Sequence, residues 1–255
     1  MTNTNHTVAL ITGANKGIGY ETARALGARG ITVLVGARDP EAGQRAAEEL
    51  KHDGIDARAV QLDVTDADSV ARAADWIGTE FGRLDILVNN AAVTGGAAGG
   101  MTAATASLDV LREVFETNVF GLVAVTNALL PLLREAPAAR IVNVSSEVGS
   151  LALTTDPAGP MWGMTSIPYG TSKTAVNMIT TKYAKELHDT AIKVNAANPG
   201  YTATDLNGRT GFRTPVQGAE PSVYLATLPA DGPTGILWGY RWGATDGVEY
   251  GQLPW

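Results

Sequence analysis

Residues 8–30 read VALITGANKGIGYETARALGARG, and the order of their features decides the fold. Val8 to Ile11 is a short apolar run, long enough for a buried strand and too short for a helix. Gly13, Gly17 and Gly19 follow within seven residues. From Ile18 the apolar positions Ile18, Ala23, Ala25 and Leu26 recur at roughly helical spacing, and Gly27 and Gly30 close the segment. Strand, glycine turn, helix is the context a dinucleotide-binding loop requires. Glycine turns tightly and lets a pyrophosphate approach the backbone. The helix N-terminus then offers free N–H groups and the positive end of its dipole. The spacing is G-x-x-x-G-x-G rather than G-x-G-x-x-G, and an ordinary strand-to-helix turn fits these residues too, so the rest of the chain has to decide.

Strand and helix signals alternate from this stretch to about residue 200. Strands are expected at Ile31–Gly36, Ala57–Leu62, Leu84–Val88, Arg140–Ser145 and Ile192–Ala196, with a last one near Gly235–Tyr240. Helices are expected from Asp39-Pro40-Glu41, from Asp66 or Asp68 to Phe81, from Ser107 to Leu133 with a bend at Gly121, from Tyr169 to His188 and from Pro215 to Leu228. Thr94–Ala106 is small, glycine-rich and expected to be mobile. This alternation implies an α/β fold: a doubly wound parallel sheet of about seven strands in one domain, residues 1–255, with an irregular insertion at about 147–168. Ligands of such sheets bind beyond the carboxyl ends of the strands. Gly13, Arg38, Asp63, Asn89, Ser145, Ser146, Pro199 and Gly200 fall at those ends.

Composition narrows the partners. The 255 residues are 45% hydrophobic, which gives ample core for one domain. The net charge of −7 argues against nucleic acid and anionic membranes as partners. The absence of cysteine excludes disulfides and thiolate chemistry. His6, His52 and His188 lack ligand spacing, so no metal site is expected. No apolar run reaches the roughly 18 residues of a membrane span, and MTNTNHT lacks the features of a signal peptide. A soluble, cytoplasmic protein is expected.

Tyr169 and Lys173 are four residues apart at the start of a helix and so share one face. An ammonium ~4 Å from a phenol favours tyrosinate by about 4 kcal/mol at an effective dielectric of ~20, so this pair is expected to lower the tyrosine pKa toward a useful range. Ser145 and Ser146 end the preceding strand, and Asn118 lies in the helix before it.

With these residues assembled, the chain resembles the short-chain dehydrogenase/reductase family over nearly its full length. The resemblance rests on Thr12-Gly13-Ala14-Asn15-Lys16-Gly17-Ile18-Gly19, Asp63-Val64, Asn89-Asn90-Ala91-Ala92, Asn118, Val144-Ser145-Ser146, Tyr169-Gly170-Thr171-Ser172-Lys173 and Asn198-Pro199-Gly200-Tyr201. It implies a Rossmann-type sheet of order 3-2-1-4-5-6-7. By the same resemblance Tyr169 is the acid/base, and Lys173 tunes it and bonds the nicotinamide ribose. Ser146 binds the substrate oxygen, and Asn118 holds a water of the proton relay. The implied cofactor residues are Gly13, Asn15, Lys16, Gly17, Ile18 and Gly19 in the loop, and Asp63 and Val64 at the adenine. Asn89 stands beside the adenosine ribose, Thr204 faces the nicotinamide carboxamide with Thr202 nearby, and Ala91, Pro199 and Gly200 are further cofactor-binding positions, together with Tyr169 and Lys173. Ser146 and Tyr169 stand further apart than is common in the family, and the extra residues, with Asn15-Lys16, resemble the carbonyl-reductase branch. Helices matching Ser107–Leu133 and Tyr169–His188 pair between subunits in the family, and the longer insertion of that branch blocks the pairing. The shorter insertion here leaves monomer, homodimer and homotetramer open.

NAD-selective members carry an acidic residue at the end of the second strand. Here that place falls to Ala37, followed by Arg38, with Asp39 expected to cap the next helix. Arg38 and Lys16 are expected to meet a 2′-phosphate, which favours NADP(H) over NAD(H). The expected activity is NADPH-dependent reduction of a ketone or aldehyde. Oxidation of a secondary alcohol is the alternative, and a non-catalytic dinucleotide sensor a further one, disfavoured by the intact Asn118, Ser146, Tyr169 and Lys173 set. Thr94–Ala98, Trp162, Met164, Tyr201 and Leu206 are the expected pocket, mostly apolar, which suits a neutral or hydrophobic carbonyl.

Overall fold

The structure is a computed structural model that describes residues 7–95, 102–244 and 249–255. The expected mobile loop lies partly outside these residues, as do positions 96–98 of the expected pocket stretch Thr94–Ala98. Eight strands form one sheet of order β3-β2-β1-β4-β5-β6-β7-β8. They are β1 Val8–Thr12, β2 Thr32–Ala37, β3 Ala57–Gln61, β4 Ile86–Asn89, β5 Arg140–Val144, β6 Lys193–Asn198, β7 Leu237–Tyr240 and β8 Tyr250–Leu253. The first seven pair in parallel in the expected order. An eighth strand adds to the expected parallel seven: the aromatic C-terminal segment folds back antiparallel on β7, pairing Leu237 with Leu253.

Alternation along the strands divides the core between the two faces of the sheet. Ala9, Ile11, Val33, Val35, Ile86 and Val88 pack with α1 (Gly17–Gly27), α2 (Pro40–His52) and α8 (Pro215–Ala226). Val8, Leu10, Leu34, Leu87 and Ile141 pack on the other face with α3 (Ala67–Phe81), α5 (Leu122–Arg134) and α7 (Ile167–Glu186). Residues 108–134 are apolar and long enough to cross a bilayer by composition, yet Val125, Leu129 and Leu133 are core residues of the second layer.

The expected bend at Gly121 is instead a π-helical segment, Glu116–Gly121, between α4 (Leu108–Phe115) and α5. Its wider turn rotates Asn118 inward, and such insertions recur at functional sites. The insertion forms a 3-10 turn at Glu147–Gly149 and a short helix, α6 (Leu151–Thr154). Asp39 caps α2, accepting from the N–H groups of Glu41 and Ala42 at 2.9 and 3.2 Å.

Candidate active site

The glycine loop is shaped before any ligand enters. Gly13 and Gly17 have φ of +62° and +59°, where a side chain is strained. A Cβ on Gly19 would lie 2.5 Å from Asn90 Nδ2 and 2.6 Å from the Gly13 carbonyl. Asn90 anchors the loop from the neighbouring strand: its amide donates to the Thr12 and Gly13 carbonyls at 2.8 and 3.2 Å. Thr12 Oγ1 accepts in return from the N–H groups of Asn90 and Ala91, both at 2.9 Å. The loop therefore presents backbone at a helix N-terminus, with Asn15, Lys16 and Ile18 along it, which fits a pyrophosphate group.

The other expected cofactor positions divide into those at the cleft and those turned away from it. Arg38 follows β2, is exposed, and has no hydrogen-bond or ion-pair partner recorded among the described residues. Asp63 makes a turn, accepting from Thr65 N and Oγ1 at 3.0 and 2.7 Å, with Val64 buried behind it. Asn89 corrects its expected ribose role. It shares the sheet face of Leu87, and its amide donates to Thr126 Oγ1 and Asn143 Oδ1 at 3.0 and 2.9 Å. Its side chain thus faces α5, and only its main chain borders the cleft. Thr202 is buried, its hydroxyl directed at the Pro199 and Gly200 carbonyls. Thr204 lies against the glycine loop, its Cγ2 3.5 Å from where a Gly17 Cβ would stand. Lys16 is paired with Asp205, Nζ to Oδ2 2.9 Å, on the strap that follows β6. Lys16 and Arg209 together hold the Asp205 carboxyl below its ordinary range.

The catalytic set converges where β5 meets α7. Ser145 is buried and bonds Asn177 on α7, whereas the Ser146 hydroxyl accepts from Val148 N at 3.3 Å and eases the upward shift of Tyr169. Gly149 makes this approach feasible, since a Cβ there would lie 2.6 Å from the Lys173 backbone. Lys173 is buried, its Nζ 5.5 Å from the Tyr169 ring centre and donating to the Val144 carbonyl at 2.7 Å. The expected lowering of the tyrosine is therefore corrected. Burial pushes Tyr169 up to about 12, offset in part by Ser146, and burial pushes Lys173 down to about 8. The ammonium is aimed at a carbonyl rather than at the phenol, so desolvation dominates.

Asn118 acts through its side chain as a tie. Oδ1 accepts from Val93 N at 2.8 Å, and Nδ2 donates to Val93 O and Ser172 Oγ at 2.9 and 3.0 Å. Its amide is committed to these partners. Sequence reasoning missed Glu147 altogether. This carboxyl is 4% exposed. Burial pushes it up to about 7, opposed by the Trp242 N–H, the Asn198 side chain and the Arg213 charge. Arg213 is itself buried and lies over the Tyr240 ring at 4.0 Å. A glutamate directly after the strand-ending serine was the available signal, but nothing local told that Arg213 would share its interior.

A doubly wound sheet with a glycine loop at its first turn and a Ser-Tyr-Lys set at its carboxyl edge defines a dinucleotide-dependent oxidoreductase acting on the CH–OH/C=O couple. The chain belongs to the short chain dehydrogenase family, which matches residues 7–212. It is 32% identical to a (+)-neomenthol dehydrogenase of Capsicum annuum, covering 91% of this chain and 95% of that one. It is 33% identical to carbonyl reductase [NADPH] 1 of Sus scrofa, covering 98% of each. Its fold matches the salutaridine reductase of Papaver somniferum with a TM-score of 0.80 at 30% identity, over 91% of this chain and 99% of that one.

Proposed function

We propose that this protein is an NADPH-dependent carbonyl reductase of neutral, hydrophobic ketones or aldehydes, with Tyr169 as proton donor. The observation that carries this reading is the convergence of three side chains at the carboxyl edge of the sheet: Ser146 at the end of β5, Tyr169 on α7, and the buried Lys173 with its ammonium 5.5 Å from the Tyr169 ring centre. Two hydroxyls so placed can serve one oxygen atom: Ser146 donates to the substrate carbonyl and holds it, and Tyr169 delivers a proton as negative charge grows there. Pushed up to about 12 by burial, Tyr169 is protonated at neutral pH and so has the proton that reduction requires. The cofactor, when bound, supplies the hydride. The glycine loop would hold its pyrophosphate, and Lys173 would lie beside its ribose with an ammonium already oriented by the Val144 carbonyl.

NADPH preference is supported by Arg38, whose fork is free to meet a 2′-phosphate, and by Ala37, which puts no carboxylate there. Asp39 does not substitute for one, because its carboxylate caps α2. Trp162, Met164 and Leu206, the apolar residues expected at the pocket, are exposed and so able to meet a neutral substrate. The same reading makes the protein a cytoplasmic enzyme. The test is turnover of a ketone panel with NADPH and with NADH. Reduction by NADPH with at least about tenfold preference over NADH is expected. Absence of turnover with every carbonyl tried overturns the reading.

A further inference from the structure

Helix α7 meets the end of β5 through a row of polar side chains. Lys173, Asn177 and Thr180 stand at i, i+4 and i+7 and so share one face of α7. That face is tied to three successive residues of the strand end. Lys173 Nζ donates to the Val144 carbonyl at 2.7 Å, Ser145 Oγ donates to Asn177 Oδ1 at 2.5 Å, and Asn143 Nδ2 donates to Thr180 Oγ1 at 2.9 Å. Every residue in these ties is buried.

The topology explains the first tie. β4 pairs with β5 from Ile86 opposite Arg140 to Asn89 opposite Asn143, and the pairing stops there. The N–H of Ser145 goes to the Ala197 carbonyl of β6 at 2.8 Å. The Val144 carbonyl lies one residue past the last β4 pair, and the Lys173 ammonium supplies its donor. An ammonium has three donors, so this bond aims the group and leaves the others for a ribose hydroxyl. A lysine stem is long and flexible, however, and does not fix the spacing between strand and helix. The second tie does, because Ser145 and Asn177 both have short side chains. Asn177 Nδ2 has no hydrogen-bond partner among the described residues. A buried amide N–H without a partner is costly, and a leucine of similar size would avoid that cost. The amide therefore serves through its oxygen alone.

We propose that Asn177 is a positioning residue of the reduction. Through Ser145 it holds the end of β5, which leads into Ser146 and carries the carbonyl that aims Lys173, at a set distance from α7, which carries Tyr169. The inference rests on the carbonyl-reductase reading above. Asn177 touches neither substrate nor cofactor in this role. It keeps the two hydroxyls and the ammonium in register, and proton delivery is sensitive to small displacements of such groups. Ser145 and Asn177 act as one unit, so removing either should have the same effect as removing both.

The test is a double-mutant cycle of Ser145→Ala and Asn177→Leu, read with NADPH and the ketone that wild type reduces fastest in the panel above. Each single variant should lower kcat about tenfold. The ketone KM, and the NADPH affinity read by quenching of protein fluorescence, should stay within about threefold, because geometry at the reacting atoms rather than binding is lost. The double variant should be no slower than the singles by more than about threefold. Its urea midpoint should equal or exceed that of wild type, since both polar groups leave the interior together. A tie kept only for stability would give the opposite pattern, a lower midpoint with normal kcat. If Asn177→Leu does not fold, Ser145→Ala, which removes one oxygen atom, decides alone. A kcat within threefold of wild type in the singles, losses that multiply in the double variant, a parallel loss of kcat and NADPH affinity, or failure of both singles to fold would overturn the proposal while leaving the reductase reading intact. Failure of wild type to reduce any carbonyl overturns the reductase reading itself, and the positioning role with it.

Discussion

On the β1–β4 side of the cleft, the strand ends are joined by neutral hydrogen bonds between short residues: Thr12 to the Asn90 and Ala91 backbone, and the Asn90 amide to two loop carbonyls. On the β5–β7 side the joints are a buried carboxyl, a buried guanidinium and a stack of rings. A neutral joint costs little to bury and is insensitive to pH. A charged one is expensive and must be balanced by groups from distant parts of the chain. The dinucleotide side is therefore expected to be rigid and general, and the substrate side specific to this protein and responsive to pH.

The largest effect expected bears on the point where the two sides meet. Tyr169→Phe removes only a hydroxyl, and ketone turnover should fall by about 10²–10⁴-fold, the usual contribution of a positioned proton donor. NADPH affinity should be retained, because the glycine loop is untouched. Steady-state kinetics with cofactor titration check both. Turnover within a few fold of wild type would mean that the proton comes from elsewhere.

The next effect breaks the comparison on the charged side. Glu147 has an ordinary value of 4.5 and is held at about 7 by burial. An acid raised in the folded state is protonated in both states below 4.5, so its full stability is present there. As pH rises from 4.5 to about 7 the unfolded chain ionises first, and stability is lost by about 3 kcal/mol before levelling off. Glu147→Gln should abolish that slope. Urea unfolding at pH 5 and pH 8 should find the variant gaining on wild type at the higher pH by up to about 3 kcal/mol. Parallel pH profiles for the two proteins would show that the carboxyl ionises normally.

How far the sequence could be read follows the same division. The α/β class was legible because apolar runs alternate with capped helices, the strand order came from the family resemblance, and Asp39 was recognisable as a cap from its place before Pro40. Ser146, Tyr169 and Lys173 were legible because strand ends and helical spacing are local. Asn89 stands at the strand end as expected, but its side chain follows the alternation from Leu87 and faces the helix side, a direction the resemblance did not supply. The tyrosine shift had the wrong sign because spacing told that Lys173 was near, but not that its ammonium donates to the Val144 carbonyl. Glu147 and the eighth strand were not legible, since each depends on a contact between segments far apart in sequence.

A smaller effect tests the dinucleotide side. Arg38→Ala should raise KM for NADPH about tenfold and leave NADH use little changed, the loss of one charge-assisted contact to a phosphate. Ala37→Asp should shift preference toward NADH by repelling the 2′-phosphate. Equal weakening of both cofactors by Arg38→Ala would assign the arginine to structure rather than selectivity.

The smallest effect concerns the one ion pair that joins the glycine loop to the substrate strap. Lys16 is tied to Asp205 at 2.9 Å, and Arg209 shares the same carboxylate at 3.0 Å. For Lys16 to meet a 2′-phosphate, it must leave Asp205. The pair is solvent-exposed, so its strength is modest and screened by salt. Asp205→Asn frees the ammonium without changing its reach. KM for NADPH should then fall by about two- to threefold at low salt, with NADH unaffected and the difference shrinking as salt is added. A rise in KM for both cofactors would instead mean that the bridge holds the strap where Thr204 must lie against the loop. In that case Lys16 belongs to the strap rather than to the phosphate, and Arg38 alone carries the preference for NADPH.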